Sequence, residues 1–193
     1  MNLAGVEHLV LDRDGVLNVE APGGGYVRSP GEWRWIDGAL EALAELTSAG
    51  LRVTVATNQS GVGRGLMTSD DLAAVHAGML ADVERAGGRI DSVLSCCHAP
   101  EEGCNCRKPA PGLIQAAVAG SGVRAEATLV VGDDVRDIEA ARAAGVPAVL
   151  VLTGKGRAAA SRLGDAVVPI YDDLRALVSA LVSAREREGK ITS

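Results

Sequence analysis

Short apolar runs alternate with stretches of helical periodicity along most of the chain, and this alternation restricts the fold more than any other feature of the sequence. Glu7 to Asp12, Leu51 to Thr57, Ile90 to Ser95, Thr128 to Val131 and Val146 to Leu152 read as strands, and the central ones are continuously apolar. Strands buried on both faces have that pattern, and they occur in parallel sheets whose crossover helices cover each side. Between them, Ile36, Leu40, Leu43 and Leu46 recur at helical spacing in a helix that starts at Asp37 and stops at Gly50. Thr68-Ser69-Asp70-Asp71 caps a longer helix with Leu72, Val75, Met79 and Val83 on one face, closed by Gly87-Gly88. Pro111 opens a helix through Ala119, and another ends at Ala144 with Gly145 as its cap. A short helix near 157–163 and a C-terminal helix carrying Leu174, Leu177, Leu181 and Ala184 complete the pattern. The expected fold class is α/β, a Rossmann-like parallel sheet flanked by helices on both faces, with no room for a large cap domain. One domain is expected over residues 1–184, with 185–193 a polar, frayed tail.

The core must be built from Val, Leu, Ile and Ala, because aromatic residues make up 2% of the 193 residues and Phe is absent. A net charge of -6 argues against a nucleic-acid partner held on a basic surface. No secretory apolar segment opens the chain, and no apolar run approaches the roughly 18 residues of a membrane span. The expectation is a cytoplasmic monomer acting on a small molecule, with neither membrane nor nucleic acid as partner.

Polar groups gather where the strands end. Leu9-Val10-Leu11 runs into Asp12-Arg13-Asp14-Gly15, Leu51–Ala56 into Thr57-Asn58, and Thr128–Val131 into Gly132-Asp133-Asp134, while Lys108 follows a loop after the third strand. In open α/β sheets, ligands bind at the carboxyl ends of the strands. Any one acid there is as readily a cap for the next helix. Two carboxylates spaced two apart and joined by a third acidic end instead suggest a magnesium-dependent, phosphate-handling site. Asp137 lies one helical turn after Asp133 and fits either a water-mediated metal contact or a first-turn acid favoured by the helix dipole.

Taken in order, these residues resemble the haloacid dehalogenase superfamily of aspartate-nucleophile phosphatases over roughly residues 7–155. Its Asp-x-Asp-Gly motif corresponds to Asp12–Gly15, its Thr or Ser to Thr57, its Lys to Lys108 and its last acidic motif to Gly132–Asp134. The resemblance implies that Asp12 is the nucleophile, forming an aspartyl-phosphate, and that Asp14 is the general acid and base. Thr57 and Lys108 would stabilise the transferring phosphoryl group. Mg²⁺ would be held by the Asp12 carboxylate, the Asp14 backbone carbonyl and Asp133.

Four cysteines and a histidine crowd the loop before Lys108: Cys96, Cys97, His98, Cys104 and Cys106. In a reduced compartment such a cluster reads as metal binding before disulfide. Structural zinc takes four S or N ligands, so either Cys96 or Cys97 is the odd one out. The run Cys-x-His, Cys-x-Cys-Arg-Lys-Pro, with Thr57-Asn58-Gln59-Ser60-Gly61-Val62-Gly63-Arg64-Gly65, looks like the D-glycero-D-manno-heptose-1,7-bisphosphate 7-phosphatase branch. Histidinol-phosphate phosphatases share the loop and give the alternative reading, as does, more distantly, a domain that only binds phosphorylated ligands. The branch implies structural Zn²⁺ on Cys96, His98, Cys104 and Cys106, and substrate contacts from Arg13, Glu20, Tyr26, Asn58, Gln59, Ser60, Arg107 and Asp134. Two departures stand out: Asp134 occupies a position where that branch often carries Lys, and Gly23–Gly25 is inserted before Tyr26. His8 and His76 have no partner at metal spacing and are expected to be structural or surface residues.

Overall fold

The computed structural model describes residues 2–163 and 168–191. Six parallel strands form one sheet: β1 (His8–Leu11), β2 (Arg52–Asn58), β3 (Ser92–Cys96), β4 (Thr128–Gly132), β5 (Ala148–Val151) and β6 (Ile170–Tyr171). Their spatial order is β3-β2-β1-β4-β5-β6. The chain works outward from β1 to β3 and then returns to the other side of β1. The order therefore reverses at β1, and the crevice above its carboxyl end is where such a sheet receives a ligand.

Alternation along the strands divides the core. Leu9, Leu11, Val53, Val55, Leu129 and Val131 point to a face covered by α1 (Ala39–Ser48), α2 (Ser69–Arg85) and α6 (Leu174–Ile191). Val10, Ala56 and Val130 point to the other, covered by α3 (Gly112–Ser121) and α4 (Val135–Ala144). The short α5 (Gly156–Ala160) packs Ala159 on Leu150. Both faces are thus sealed, as the continuous apolar strands required. His8 lies within the sheet between Thr54 and Thr128, 3.0 and 3.3 Å from their hydroxyls, and is structural as expected.

Three details differ from the sequence expectation. α1 begins at Ala39, because Gly38 takes a left-handed φ of 79° and serves as its N-cap. β6 is two residues long, too short to leave a periodic signal. α6 continues to Ile191, so residues 185–191 of the expected tail are helical and Arg185 is anchored on the Val6 carbonyl; 192–193 lie outside the described residues. Among the described residues, no helix is long and apolar enough to cross a membrane.

Candidate active site

The first loop turns at once. Asp12 N–H still bonds to Val131 O on β4, and three successive amides, Val16, Leu17 and Asn18, then fold back onto Arg13 O. Gly15 makes this turn with φ 86°. A Cβ there would stand 2.0 Å from Asp133 Oδ2, and one on Gly154 2.1 Å from the same oxygen. Only two glycines at this point let the loops after β1 and β5 close around the Asp133 carboxylate. Thr153 Oγ1 ties those loops together by donating to Gly15 O at 2.6 Å.

Lys108 enters the centre of the cluster from below. Its ammonium donates to Ala56 O at 2.8 Å and pairs with Asp12 Oδ1 at 3.0 Å and Asp137 Oδ1 at 2.6 Å. Its backbone is clamped by Asn58, whose amide donates to Lys108 O and accepts from Lys108 N–H. The end of β2 therefore fixes the lysine, although the two are separated by the whole cysteine loop.

One carboxylate oxygen from each of Asp12, Asp133 and Asp137 lies within 4.8 Å of the others. Burial first, and then the neighbouring acids, push the Asp12 carboxyl up to about 7 despite Lys108. Burial and the Asp12 charge push Asp133 up to about 8 against the Lys155 backbone N–H, which donates to Asp133 Oδ2 at 2.7 Å. Three acids against one ammonium leave this cluster short of positive charge. An all-oxygen donor set of this kind suits a hard divalent cation such as Mg²⁺.

Asp14 has the opposite surroundings. Arg13 grips both its oxygens at 3.0 Å, Asn18 donates to it at 2.9 Å and Gln59 at 2.7 Å. Burial alone would raise its carboxyl, but the Arg13 charge and these hydrogen bonds outweigh burial and lower it. Thr57 accepts from the same Gln59 amide at 2.9 Å.

A cavity of about 190 Å³ opens above these groups, and of the expected substrate contacts Glu20, Tyr26, Asn58, Ser60, Arg107 and Asp134 line it. Arg13 and Gln59 do not. Both are fully buried behind the wall, where Gln59 holds Asp14 and Thr57 while Arg13 lies over the Trp33 ring with His76 Nε2 3.2 Å from its guanidinium. Because Arg13 sits between two acids that turn toward the cavity, its side chain leaves on the other side of the turn. Asp137 takes its place in the first turn of α4, where its Oδ2 accepts from Asp134 N–H in a capping box, and its Oδ1 pairs with Lys108, a contact that neither reading of it named. The sequence reading omits two cations of the cavity wall, Arg136 and Lys155. Lys155 was open to discovery, since it follows β5 as Asp12 follows β1; Arg136 lies within the first turn of α4 and carries no such signal.

The cysteine loop closes on itself beside the cavity. Sγ of Cys96 stands 3.6 Å from that of Cys104 and 3.2 Å from that of Cys106, and His98 Nδ1 is 3.2 Å from Cys106 Sγ. A tetrahedral zinc with bonds of about 2.3 Å separates its sulfurs by about 3.8 Å, so small outward shifts would seat the ion. Cys97 stands outside the group of four. Its carbonyl instead accepts from Gly63 N–H at 2.9 Å, and a Cβ on Gly63 would lie 2.5 Å from that oxygen. The glycine-rich stretch at 61–65 thus rests directly on the cysteine loop.

Comparison with known proteins gives a consistent result. A protein-family model described as HAD-hydrolase-like matches residues 105–177. The D-glycero-beta-D-manno-heptose-1,7-bisphosphate 7-phosphatase of Pseudomonas putida is 41% identical over 174 residues, covering 90% of this chain and 98% of that protein. Its counterpart in Pseudomonas aeruginosa is 42% identical over 175 residues, covering 90% and 97%. The crystal structure of the D,D-heptose 1,7-bisphosphate phosphatase from B. bronchiseptica, complexed with magnesium and phosphate, matches with a TM-score of 0.87 and 38% identity, over 92% of this chain and 99% of that one.

Proposed function

This chain belongs to the D-glycero-D-manno-heptose-1,7-bisphosphate 7-phosphatase family of HAD-like hydrolases, and from that premise we propose that it removes the 7-phosphate of the β-anomer of that sugar bisphosphate. The observation that carries the reading is the extent of the likeness: relatives with this activity in their names are matched over nearly their whole length.

Asp12, the Asp14 carbonyl and Asp133 would hold Mg²⁺, with Asp137 behind them fixing Lys108. Bound there, the ion offsets the charge of the phosphate dianion and so lets an anionic nucleophile approach. The Asp12 carboxylate attacks phosphorus in line, forming the P–O bond of an aspartyl-phosphate as the bond to the sugar C7 oxygen breaks. Lys108 and Thr57 stabilise the transferring oxygens. Asp14 protonates the departing oxygen and then takes a proton from the water that hydrolyses the acyl phosphate. Its present grip by Arg13, Asn18 and Gln59 suits the second half-reaction, which needs the anion. The first needs substrate to loosen that grip, whereupon burial favours the protonated acid.

Zn²⁺ on Cys96, His98, Cys104 and Cys106 would be structural, since protein fills all four positions, and it would set the path into Arg107-Lys108. The reading places a monomeric enzyme in the cytoplasm, where the thiols stay reduced.

A Mg²⁺-dependent phosphate-release panel tests the proposal, using both anomers of the heptose bisphosphate, histidinol phosphate and simple sugar phosphates. The β-bisphosphate should be turned over best and Asp12→Asn should be inert. A preference for histidinol phosphate would replace the substrate, and full turnover by Asp12→Asn would remove the nucleophile.

A further inference from the structure

Arg13 carries a full charge, yet its side chain is entirely buried behind the wall, and no step of the reaction proposed above uses it directly. Its surroundings explain how it is kept there. The guanidinium lies 5.7 Å over the Trp33 ring, and Trp33 packs edge-on against Trp35, whose indole N–H donates to Asp82 Oδ2 at 2.9 Å. His76 Nε2 lies 3.2 Å from Arg13 Nη1. Arginine only donates, so Nε2 is the acceptor of this bond and the imidazole is neutral. Asp82 and His76 both belong to α2. One helix therefore holds the buried guanidinium by two routes, through the tryptophan pair and through His76.

The hold on Arg13 decides what reaches Asp14. A guanidinium and a carboxylate pair most firmly as a fork, two nitrogens on two oxygens. Here a single nitrogen, Nη2, stands 3.0 Å from both Asp14 oxygens. Nη1 is turned to His76, and among the described residues no partner reaches Nε. A contact made by one nitrogen is released by one small movement, whereas a fork must break at two points. That difference bears on the first half-reaction, in which Asp14 must deliver a proton to the sugar oxygen as its bond to phosphorus breaks. The second half-reaction asks Asp14 only to accept a proton, and a carboxylate held by a fork still has lone pairs for that.

We propose that His76 is a positioning residue for the acid step: by occupying Arg13 Nη1 it prevents a guanidinium fork on Asp14 and leaves that carboxyl free to act as proton donor. Without an acceptor at position 76, Nη1 would become a buried donor with no partner, which is unfavourable, and the carboxylate already beside Arg13 is the acceptor at hand. His76 lies outside the cavity lining, so its effect reaches the substrate only through Arg13 and Asp14. The inference rests on the acid role given to Asp14 above and not on the identity of the sugar.

The test compares an alkyl ester with an aryl ester. The heptose 1,7-bisphosphate releases a sugar alkoxide that needs the acid, whereas p-nitrophenyl phosphate releases a stabilised phenolate that does not. His76→Leu replaces the acceptor with an apolar chain. It should lower kcat for the bisphosphate about tenfold or more, a fraction of what general acid catalysis supplies, while KM and the turnover of p-nitrophenyl phosphate stay at wild-type values. His76→Gln brings an amide oxygen to the reach of Nε2 and should restore kcat for the bisphosphate. Equal losses on the two esters, no loss on the bisphosphate, or no rescue by His76→Gln would each overturn the proposal. If His76→Leu does not fold, His76→Met takes its place, and failure of both to fold would make His76 a structural residue and overturn it as well. Asp14→Asn tests the premise separately. Wild-type turnover of the bisphosphate by Asp14→Asn would remove the acid assignment, whereas an inert Asp14→Asn beside an unaffected His76→Leu would remove the present inference alone. If the wild type prefers histidinol phosphate, that alkyl ester serves in the same comparison.

Discussion

Lys108 stands nearer to Asp137 than to Asp12, at 2.6 against 3.0 Å. The acid in the first turn of α4 is therefore the principal anchor of the lysine that faces Asp12. Removing one partner of a buried pair costs about 3–5 kcal/mol, and Asp137→Ala also loses the cap on Asp134 N–H. Urea unfolding of Asp137→Ala should show a loss of about that size. Asp137→Asn keeps an oxygen for the cap and should lose less stability, while its turnover still falls at least tenfold because Lys108 is freed. Wild-type turnover by Asp137→Asn would reduce Asp137 to a cap.

Raised carboxyls make a magnesium-free protein sensitive to alkali. Asp12 at about 7 and Asp133 at about 8 bind protons in the folded state that the unfolded chain has already released, so their contribution to stability falls as pH rises toward 8. His8 and His76, both lowered to about 4, act oppositely, gaining stability as pH rises to about 6.5, where the unfolded histidines lose their protons. Below 6.5 the two effects oppose each other, and above it the acids stand alone. Zinc-loaded, magnesium-free protein should lose melting temperature between pH 6.5 and 8. Added Mg²⁺ should raise it more at pH 8 than at pH 6.5, and an equal rise at both would separate the ion from these acids.

Zinc removal should reach the active site. Four candidate ligands within one short loop would be held together by the ion, and binding energy at such sites is folding energy. Purified protein should contain about one zinc per chain by metal analysis. Cys106→Ser should reduce both zinc content and phosphate release, because Arg107 and Lys108 follow directly. Full activity in protein shown to lack zinc would sever the loop from catalysis.

Gly15→Ala should abolish magnesium-dependent turnover. The positive φ costs an L-residue about 1–2 kcal/mol, and the new methyl would overlap Asp133. Gly50→Ala carries the same backbone penalty at φ 72° with nothing within 4 Å. Comparable unfolding losses but a loss of activity confined to Gly15→Ala would isolate the clash. Equal activity in the two variants would show that the close approach to Asp133 is dispensable.

The sequence revealed the site unevenly, for physical reasons. Asp12, Asp133 and Thr57 were legible because strand ends follow from apolar runs, and a parallel sheet brings those ends together. Lys108 was legible only through its order among the others, since it lies on no strand. Arg13 and Gln59 were read as substrate contacts, yet they turn inward. The direction of a side chain leaving a turn depends on dihedral angles that spacing does not encode, and burying the Arg13 charge required Trp33, His76 and Asp14 from three separate places in the chain. The pairing of Lys155 with Glu20 spans 135 residues and has no local signature.

The reversal of strand order at β1 also has a consequence in time. Asp12 leaves the ribosome well before its neighbours: Asp133 follows with β4, and then Thr153–Lys155, which close on Gly15 and Asp133. A nascent chain therefore carries Asp12 without a complete pocket around it until those later segments emerge. The pocket is complete only once the second half of the sheet has been delivered, and a message truncated before β5 leaves Asp12 without the Thr153–Lys155 loop.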